Sequence, residues 1–393
     1  MTDFDFDRQI PRLGTHCAKW DALASRYGSH AVGALPMWVA DMEFAAPPAV
    51  NRVIREAAEH GVHGYFGDPS DYLKAIKGWM RRRHGWDIEE SWILTTAGIV
   101  NGVNLALQAY CRPGDGVILQ EPIYHPFAPA IRNNGLTLVG NLLRYENGRY
   151  EMDLEGLAKA VDAKTRVLLL CSPHNPAGRV WSRAELTAIA EFCVERDILI
   201  LSDEIHHDLV FEGPHTVLAS LSPEIAARTV TFTSSSKTFN LAGGHTGNAI
   251  ISNPELRRQF HRQMERCGML TSNRFGYLMA TAAYDEGEEW LDALLVYLRG
   301  NRDYVDRFVA ERLRGVRSVK LDATYLSWLD FNGTGMDDAE IIRRFEREAK
   351  VICNHGASFG PGGAGFMRLN FACARPMLEE AMERIAGAFK DVQ

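Results

Sequence analysis

The sequence predicts an α/β fold with a large domain built on a mostly parallel sheet and a smaller α+β domain. Between residues 92 and 251, short apolar runs alternate with segments whose apolar residues recur at helical spacing, a pattern typical of β-α-β units. Past residue 284 the pattern changes to a long amphipathic stretch and isolated strand-like runs. The chain has 393 residues, of which 46% are hydrophobic, and this length suits two or three units of about 150 residues each.

Six apolar runs are the predicted strands of the large domain: residues 92–95, 117–120, 167–171, 198–202, 230–233 and 248–251. A crossover helix should begin after Ser182, because Ser182 and Glu185 have the spacing of a capping box. The buried face of this helix should be the stripe formed by Leu186, Ile189, Ala190 and Cys193.

The smaller domain is predicted to contain a helix over residues 288–313, a strand over 324–331, a helix near 337–350, a strand over 366–371 and a final helix. We expect residues 46–284 to form the large domain. Residues 1–45 should pack with residues 285–393 as the small domain, leaving a cleft between the two.

Charge and composition argue against some classes of protein. A net charge of −7 argues against a general nucleic-acid binder, since contacts to a phosphate backbone need a basic face. The dense basic run Arg81-Arg82-Arg83-His84 is interpreted as a solvated helix end. We therefore expect no nucleic-acid partner.

Cysteine usage and the amino-terminal sequence indicate a cytoplasmic protein. The seven cysteines are scattered, with neither a C-x-x-C pair nor the spacing of zinc ligands, so reduced thiols are the simplest interpretation. The first residues are acidic and lack the apolar region of a signal peptide. No stretch reaches the roughly 18 apolar residues that a membrane span requires, so neither export nor membrane insertion is expected.

Lys237 is the most informative residue for the chemistry. The apolar run 230–232 leads to it through the hydroxyl-rich turn Thr233-Ser234-Ser235-Ser236. A lysine is nucleophilic only when its amine is neutral or already condensed with an aldehyde, and desolvation at a strand end favours both conditions. Lys237 is therefore suited to form a Schiff base.

Asp203 follows the predicted strand 198–202. Its carboxylate should lie at the carboxyl end of a parallel sheet, which is where open α/β sheets bind ligands. An aspartate that caps the next turn is the alternative interpretation. We take Asp203 as a second candidate site residue.

The residues around Asp203 also raise the question of a metal. Glu204, His206, His207 and Asp208 are of the types that bind zinc and iron. Strand alternation would direct neighbouring side chains to opposite sides, and no distant ligand motif is evident in the sequence. We therefore expect no metal site.

A phosphate site is predicted where residues 96–102, Thr-Ala-Gly-Ile-Val-Asn-Gly, join a strand to a helical run. Small residues at a helix start expose backbone N–H groups for a phosphate, which makes Gly98 and Ile99 the candidate donors. Ser234 and Ser236 are candidates for additional hydroxyl donors.

Three segments, in their order and spacing, resemble the fold type I pyridoxal 5′-phosphate (PLP) enzymes, the aspartate aminotransferase superfamily. They are Ser172-Pro173-His174-Asn175-Pro176-Ala177-Gly178-Arg179, Ser202-Asp203-Glu204-Ile205-His206-His207 and Thr233-Ser234-Ser235-Ser236-Lys237-Thr238-Phe239-Asn240. The resemblance implies the PLP-dependent transferase fold type I, with PLP as the cofactor.

The same resemblance implies a role for each matching residue. Lys237 would carry the cofactor, and Asp203 would pair with the pyridine nitrogen and favour its protonated form. Asn175 would donate to the phenolic oxygen, and Tyr124 would lie flat against the ring. Arg368 would bind the substrate α-carboxylate, because a guanidinium offers a planar, bidentate match. Lys237, Asp203 and Tyr124 are the predicted catalytic residues.

The remaining matches concern the phosphate and the assembly. Ser234 is the better match of the two serines to a phosphate donor. Tyr65 matches a tyrosine that reaches the phosphate of the neighbouring subunit, which implies a homodimer with shared sites. His206 stands where many relatives have a tyrosine, and His245 where aminotransferases often have an arginine; both are predicted near the cofactor.

Residues 14–21, 36–44, 178–181 and 236–243 narrow the resemblance to the cystathionine β-lyases of the MalY/PatB type. This similarity places Trp38 and Ala40 at the substrate. It implies an amino-acid substrate and a carbon–sulfur β-elimination that gives pyruvate, ammonia and a thiol. Residues 243–248 depart from the family pattern.

Two alternative functions remain open at this point. A class I/II aminotransferase would need the same Lys237, Asp203, Asn175 and Arg368, but would end its half-reaction with the cofactor as the amine. A PLP-holding regulatory binding module would use its surface rather than turnover. The products formed from an amino-acid substrate distinguish the three.

Overall fold

The computed structural model describes residues 4–392. Residues 1–3 and 393, which the prediction assigns to the small domain, lie outside the described residues. Within the described part of the chain, every helix is too short or too polar to cross a membrane.

Helices are distributed along the whole chain. They are α1 Ala18–Asp21, α2 Leu23–Tyr27, α3 Pro48–His60, α4 Ser70–His84, α5 Ile99–Tyr110, α6 Phe127–Asn133, α7 Leu154–Ala160, α8 Arg183–Glu195, α9 Pro223–Ala226, α10 Ser235–Thr238, α11 Pro254–Arg266, α12 Arg274–Glu286, α13 Glu288–Arg312, α14 Asp338–Arg343 and α15 Arg375–Ala388. The predicted helix near 337–350 is α14 followed by a π-helical segment, Arg344–Ala349.

The strands are β1 Leu35–Pro36, β2 Ile93–Thr96, β3 Gly116–Glu121, β4 Thr137–Leu142, β5 Arg144–Glu146, β6 Arg149–Glu151, β7 Thr165–Cys171, β8 Leu199–Asp203, β9 Thr229–Thr233, β10 Gly247–Ile250, β11 Arg317–Ser318, β12 Leu326–Asp330, β13 Val351–Ile352, β14 Asn354–His355 and β15 Phe366–Asn370. Each of the six strands predicted for the large domain overlaps an observed strand, within one or two residues at each end.

A seven-stranded sheet has the order β2-β10-β9-β8-β7-β3-β4. The pairs β3–β4, β3–β7, β7–β8 and β8–β9 are parallel, while β10 is antiparallel to both of its neighbours. The prediction of a mostly parallel sheet is therefore confirmed. Strand β4 was not predicted, because it lies at the sheet edge and most of its residues are exposed or only partly buried, so that it forms no continuous apolar run.

Helices cover both faces of this sheet. On one face α5 and α11 pack through Val103 and Phe260, and on the other α8 packs through Ile189. The predicted capping box of α8 is present: the Ser182 hydroxyl accepts the Glu185 backbone N–H at 3.2 Å, and Glu185 accepts the Ser182 backbone N–H at 2.8 Å. The predicted stripe on α8 is buried.

The carboxy-terminal part contains a second, antiparallel sheet of order β11-β12-β15-β14. The amino-terminal segment joins this part of the chain, because β1 pairs in parallel with β13, matching Leu35 with Val351 and Pro36 with Ile352. The domain boundaries at 45/46 and 284/285 stay a prediction.

Candidate active site

A cavity of about 290 Å³ lies at the carboxyl ends of β7, β8 and β9, the edge where a parallel sheet is expected to bind ligands. Ten residues predicted for the site line it: Ala40, Gly98, Ile99, Tyr124, Asn175, Asp203, His206, Ser236, Lys237 and His245. They come from segments spread over two hundred residues of chain. The fold therefore brings most of the predicted site together.

Lys237 lies on the one-turn helix α10, directly after β9. Its Nζ donates a 2.6 Å hydrogen bond to the carbonyl oxygen of Ala40. Burial lowers the pKa of the Lys237 amine to about 8, although the carboxylates of Asp41 and Asp203 oppose this shift. About a tenth of the amine is therefore neutral, and nucleophilic, at pH 7, far more than for an ordinary lysine.

Asp203 ends β8 and is only 3% exposed. Burial raises the pKa of its carboxyl group to about 7. A 3.1 Å hydrogen bond from the Ile205 backbone N–H opposes this shift, because it stabilises the charged form. A buried carboxylate of this kind is stabilised by a cationic partner. The site therefore favours a ligand that presents a protonated nitrogen to Asp203.

Arg368 lies on β15 and is 2% exposed. Its guanidinium donates to Asn175 Oδ1 at 3.0 Å, to Asn354 Oδ1 at 2.6 Å and to the Trp38 carbonyl at 3.1 Å. Among the residues that the structure describes, its Nε has no hydrogen-bond partner. Burial lowers the pKa of Arg368 to about 10, so the side chain still carries its charge at neutral pH.

The bond from Arg368 also orients Asn175. Because Asn175 Oδ1 accepts from the guanidinium, the amide NH₂ group is left to donate elsewhere, and Asn175 lines the cavity. An oriented amide donor is what an anionic oxygen of a ligand needs.

The start of α5, where the phosphate site is predicted, borders the cavity. Gly98 precedes the helix with φ +95°, a backbone conformation that favours glycine. The backbone of Gly247 approaches so closely that a Cβ there would lie 3.0 Å from the Gly98 carbonyl carbon. The N–H groups of the first turn of α5 are therefore presented at the cavity, where Ile99 and Val100 form part of its lining.

The two candidate serines differ in position. Ser236 lines the cavity, whereas Ser234 does not. The Ser234 hydroxyl lies 2.6 Å from the Thr246 carbonyl, to which it donates, and it accepts the Ser236 backbone N–H at 3.1 Å. The structure thus places Ser236, and not the better sequence match Ser234, at the cavity wall.

The rings around the cavity are in different environments. Tyr124 packs edge-on against Phe127 and lines the cavity. His206 is buried, and desolvation holds the pKa of its imidazole well below the usual value, so the ring is neutral. His245 lines the cavity from an exposed position with left-handed backbone, φ +45°.

Four predicted residues lie outside the cavity lining: Ser234, Arg368, Tyr65 and Trp38. Tyr65 is fully exposed, beside residues 271–275. Trp38 is buried, with its indole N–H bonded to the Lys19 carbonyl at 3.0 Å. Trp38 therefore contributes through its own carbonyl, which accepts from Arg368.

The sequence reasoning missed Tyr325 and Asn354. The buried Tyr325 hydroxyl donates to the Ala40 carbonyl at 2.9 Å, the same oxygen that accepts from Lys237. Asn354 accepts from Arg368. Neither lies in a recognisable motif, and the only signal for Tyr325 was its place in the predicted strand 324–331.

The structure also corrects the interpretation of the residues after Asp203. The segment 204–208 is a turn and not a strand, so its side chains need not alternate. His84, predicted at a solvated helix end, has a side chain that is only 5% exposed and lies 2.8 Å from Asp208. His84 therefore joins this group in the folded chain, although no motif in the sequence indicated it.

His84, Glu204, His207, Asp208 and His215 form one buried group, which we call the histidine–carboxylate cluster. Possible metal-ligand atoms lie within 4.8 Å of one another in two triplets that share His207. Glu204 Oε2 lies 2.7 Å from His215 Nε2, and Asp208 Oδ1 lies 2.8 Å from His84 Nε2.

The cavity suits PLP on chemical grounds. It presents a lysine amine of lowered pKa, a buried carboxyl group suited to a cationic ring nitrogen, an oriented amide and a helix N-terminus for a phosphate. These groups match the aldehyde, the pyridine nitrogen, the phenolic oxygen and the phosphate of the cofactor.

Comparison with known proteins agrees with this chemistry. The family "Aminotransferase class I and II" matches residues 39–385. The chain is 40% identical to the cystathionine β-lyase PatB of Bacillus subtilis (strain 168), over 98% of this chain and 99% of that protein. The crystal structure of cystalysin from Treponema denticola, which contains PLP, has a TM-score of 0.96 and 36% identity over 100% of both chains.

The PLP-bound C–S lyase from Staphylococcus hominis has a TM-score of 0.91 and 30% identity, over 99% of this chain and 98% of that one. The chain therefore belongs to the class I and II aminotransferase family. Within that family it is a PLP-dependent carbon–sulfur β-lyase, as the sequence resemblance implied.

Proposed function

We propose that the enzyme cleaves the Cβ–S bond of cystathionine or a related cysteine S-conjugate and releases pyruvate, ammonia and a thiol. The observation that carries the proposal is the presence of the Lys237 amine and the Asp203 carboxyl group in one cavity. Relatives named cystathionine β-lyase, including that of Corynebacterium glutamicum at 35% identity over 90% of this chain and 93% of that protein, support the choice of substrate.

The cofactor, when bound, supplies a ring that withdraws electrons from the substrate Cα. Asp203 would hold a proton at the ring nitrogen, because a buried carboxylate gains most from a cationic neighbour. Asn175 would donate its amide N–H to the phenolic oxygen, and Tyr124 would pack against the ring.

Lys237 moves the proton in the elimination. Its Nζ would hold the cofactor between turnovers and, once free, would take the proton from the substrate Cα. The lowered pKa of about 8 suits both tasks, because the neutral amine is the active form. Loss of the Cα proton lets the thiolate leave from Cβ, and water then converts the three-carbon product to pyruvate and ammonia.

Arg368 and the backbone around Ala40 orient the substrate. The charged guanidinium beside Asn175 is suited to the α-carboxylate, with which it can form charge-assisted hydrogen bonds. Its existing bonds to Asn354 and Trp38 hold the side chain in place before substrate arrives. Gly98, Ile99 and Ser236 would bind the cofactor phosphate.

Assembly as a homodimer and a cytoplasmic location are part of the proposal. Tyr65 is fully exposed, and Val62 and Leu270 are also exposed apolar residues. A surface tyrosine with exposed apolar residues suits a subunit interface, from which Tyr65 would reach a partner's phosphate. The seven free cysteines suit a reducing compartment.

A single-turnover experiment tests the reaction. The PLP-loaded enzyme is mixed with L-cystathionine and no 2-oxo acid. Formation of pyruvate and homocysteine, with return of the resting cofactor spectrum, is the expected result, because Lys237 recaptures the cofactor as its aldehyde. Accumulation of pyridoxamine phosphate without thiol would instead establish an aminotransferase.

A further inference from the structure

The histidine–carboxylate cluster lies directly behind the cavity and is joined to both of its central residues. Glu204 follows Asp203 in the chain. Asp208 accepts a 2.6 Å hydrogen bond from the hydroxyl of Thr238, which follows Lys237. The side chains of both carboxylates are fully buried, and a buried carboxylate is costly unless it is well paired. The hydrogen-bond partners of each oxygen of Glu204 and Asp208 therefore determine whether these buried charges are stable.

Asp208 connects three parts of the chain. Trp79, on α4, donates to Oδ1 at 3.0 Å, and His84, at the end of α4, lies 2.8 Å from the same oxygen. Thr238, on α10, donates to Oδ2, and His207 Nε2 lies 3.1 Å from that oxygen. Helix α4, the turn after β8 and helix α10 are thus held by one carboxylate.

A metal ion would be another explanation for such a cluster. Its His84–Asp208 and His215–Glu204 nitrogen–oxygen separations of 2.8 and 2.7 Å are hydrogen-bond lengths, whereas a tetrahedral zinc ion with bonds of about 2.0 to 2.2 Å holds its ligands roughly 3.3 Å apart. All four oxygens of Glu204 and Asp208 already accept hydrogen bonds. A hydrogen-bonded network explains the geometry better.

Helix α10 depends on such external bonds. It has only four residues, with Ser234 as its N-cap, and a helix of one turn has little stability of its own. Its orientation determines where Lys237 projects. The Thr238–Asp208 bond is a fixed point on the side of α10 that faces away from the cavity, since Thr238 is fully buried and does not line it.

We propose that Asp208 is a positioning residue for the β-lyase reaction: by holding the Thr238 hydroxyl it fixes α10 and the direction in which Lys237 enters the cavity. His84 and Trp79 in turn hold Asp208. The proposal rests on the proposed role of Lys237 as the cofactor lysine.

Two variants perturb the bond, one from each end. Thr238→Val removes the hydroxyl with little change in volume, and Thr238→Ser restores it; Asp208→Asn removes the charge and keeps the shape. Asp322→Asn is the matched control, because Asp322 is 4% exposed, lies near Arg179 and is absent from the cavity lining.

Three quantities are measured on PLP-loaded enzyme: kcat and KM with L-cystathionine, the thermal midpoint, and the pH midpoint of the absorption change of bound PLP. Thr238→Val and Asp208→Asn should lower kcat about tenfold with KM within about twofold, because misplacing a reacting group by a fraction of an ångström is felt mainly in the transition state. Both should shift the spectroscopic midpoint. Thr238→Ser should restore kcat and the pH midpoint of the absorption change, and Asp322→Asn should leave both of these values unchanged.

A lower thermal midpoint in Thr238→Val and Asp208→Asn, with unchanged kcat per bound PLP and an unchanged spectroscopic midpoint, would overturn the proposal. One equivalent of zinc in the purified protein, lost in His84→Ala, would overturn it as well, since Asp208 would then serve a metal. Mapping of the borohydride-reduced adduct to another lysine would refute the proposed function itself, so the two failures are distinguishable.

Discussion

Replacing Arg368 with lysine separates the charge of this residue from its geometry. The guanidinium is buried and lies 4.8 Å from the centre of the Phe359 ring. A lysine at this position would keep the positive charge. It would lose the planar arrangement that binds a carboxylate through two parallel hydrogen bonds.

The hydrogen bonds of Arg368 determine how far Arg368→Lys should lower kcat/KM. Three of its N–H groups bond Asn175, Asn354 and the Trp38 carbonyl, and its Nε finds no partner within residues 4–392. Arg368→Lys therefore removes a donor available to the substrate and loosens Asn175. A hydrogen bond to a charged group contributes about 1.5 to 3 kcal/mol, which corresponds to a fall in kcat/KM of about 10- to 150-fold.

The assay is pyruvate release from L-cystathionine, normalised to bound PLP. Arg179→Lys is the matched control, because Arg179 is 3% exposed and its guanidinium bonds Glu185, Tyr150 and Val180, none of which lines the cavity, whereas Arg368 bonds the lining residue Asn175. Arg179→Lys should lower thermal stability and leave kcat/KM per bound PLP unchanged. If Arg368→Lys retains its PLP and stays within about twofold of the wild-type kcat/KM, the assignment of the α-carboxylate to Arg368 is refuted.

Three further predictions concern the cofactor, its pH dependence and the assembly. Lys237→Ala should abolish the borohydride-stable attachment of PLP, and recovery of the reduced adduct on any other lysine would contradict the assignment. Because burial lowers the pKa of Lys237 to about 8, the neutral amine fraction grows as the pH rises through that value. The rate at which PLP attaches to the apoenzyme should therefore increase about fivefold between pH 7 and pH 8 and level off above about pH 9; a midpoint above about pH 10 would show an amine that is not desolvated. Tyr65→Ala should weaken PLP retention in a dimeric enzyme, as followed by cofactor release and sedimentation. A fully active monomer at high dilution would be incompatible with the shared site.

The large domain could be predicted because its central strands are buried on both faces. The run 167–171 is then continuously apolar, and every residue of β9 is buried, so the sequence pattern reports local burial directly. The positions of Asp203 and Lys237 followed from the same pattern, since each lies at or just after the carboxyl end of a strand. Strand β4, exposed at the sheet edge, lacks this signal.

Contacts between distant segments were decided only by the folded chain. Arg368 meets Asn175 across 193 residues, and His84 meets Asp208 across 124. The side on which a serine lies depends on the cap geometry of α10, which turns Ser236 to the cavity and Ser234 away from it.

The sequence by itself determined the residue types of the site and the strands that carry most of them, because both are local properties of the chain. The tertiary structure alone decided which of those residues share a cavity and how their charges are tuned. Desolvation of Lys237 and Asp203 arises from all the segments packed around them, and that environment exists only once the whole chain has folded.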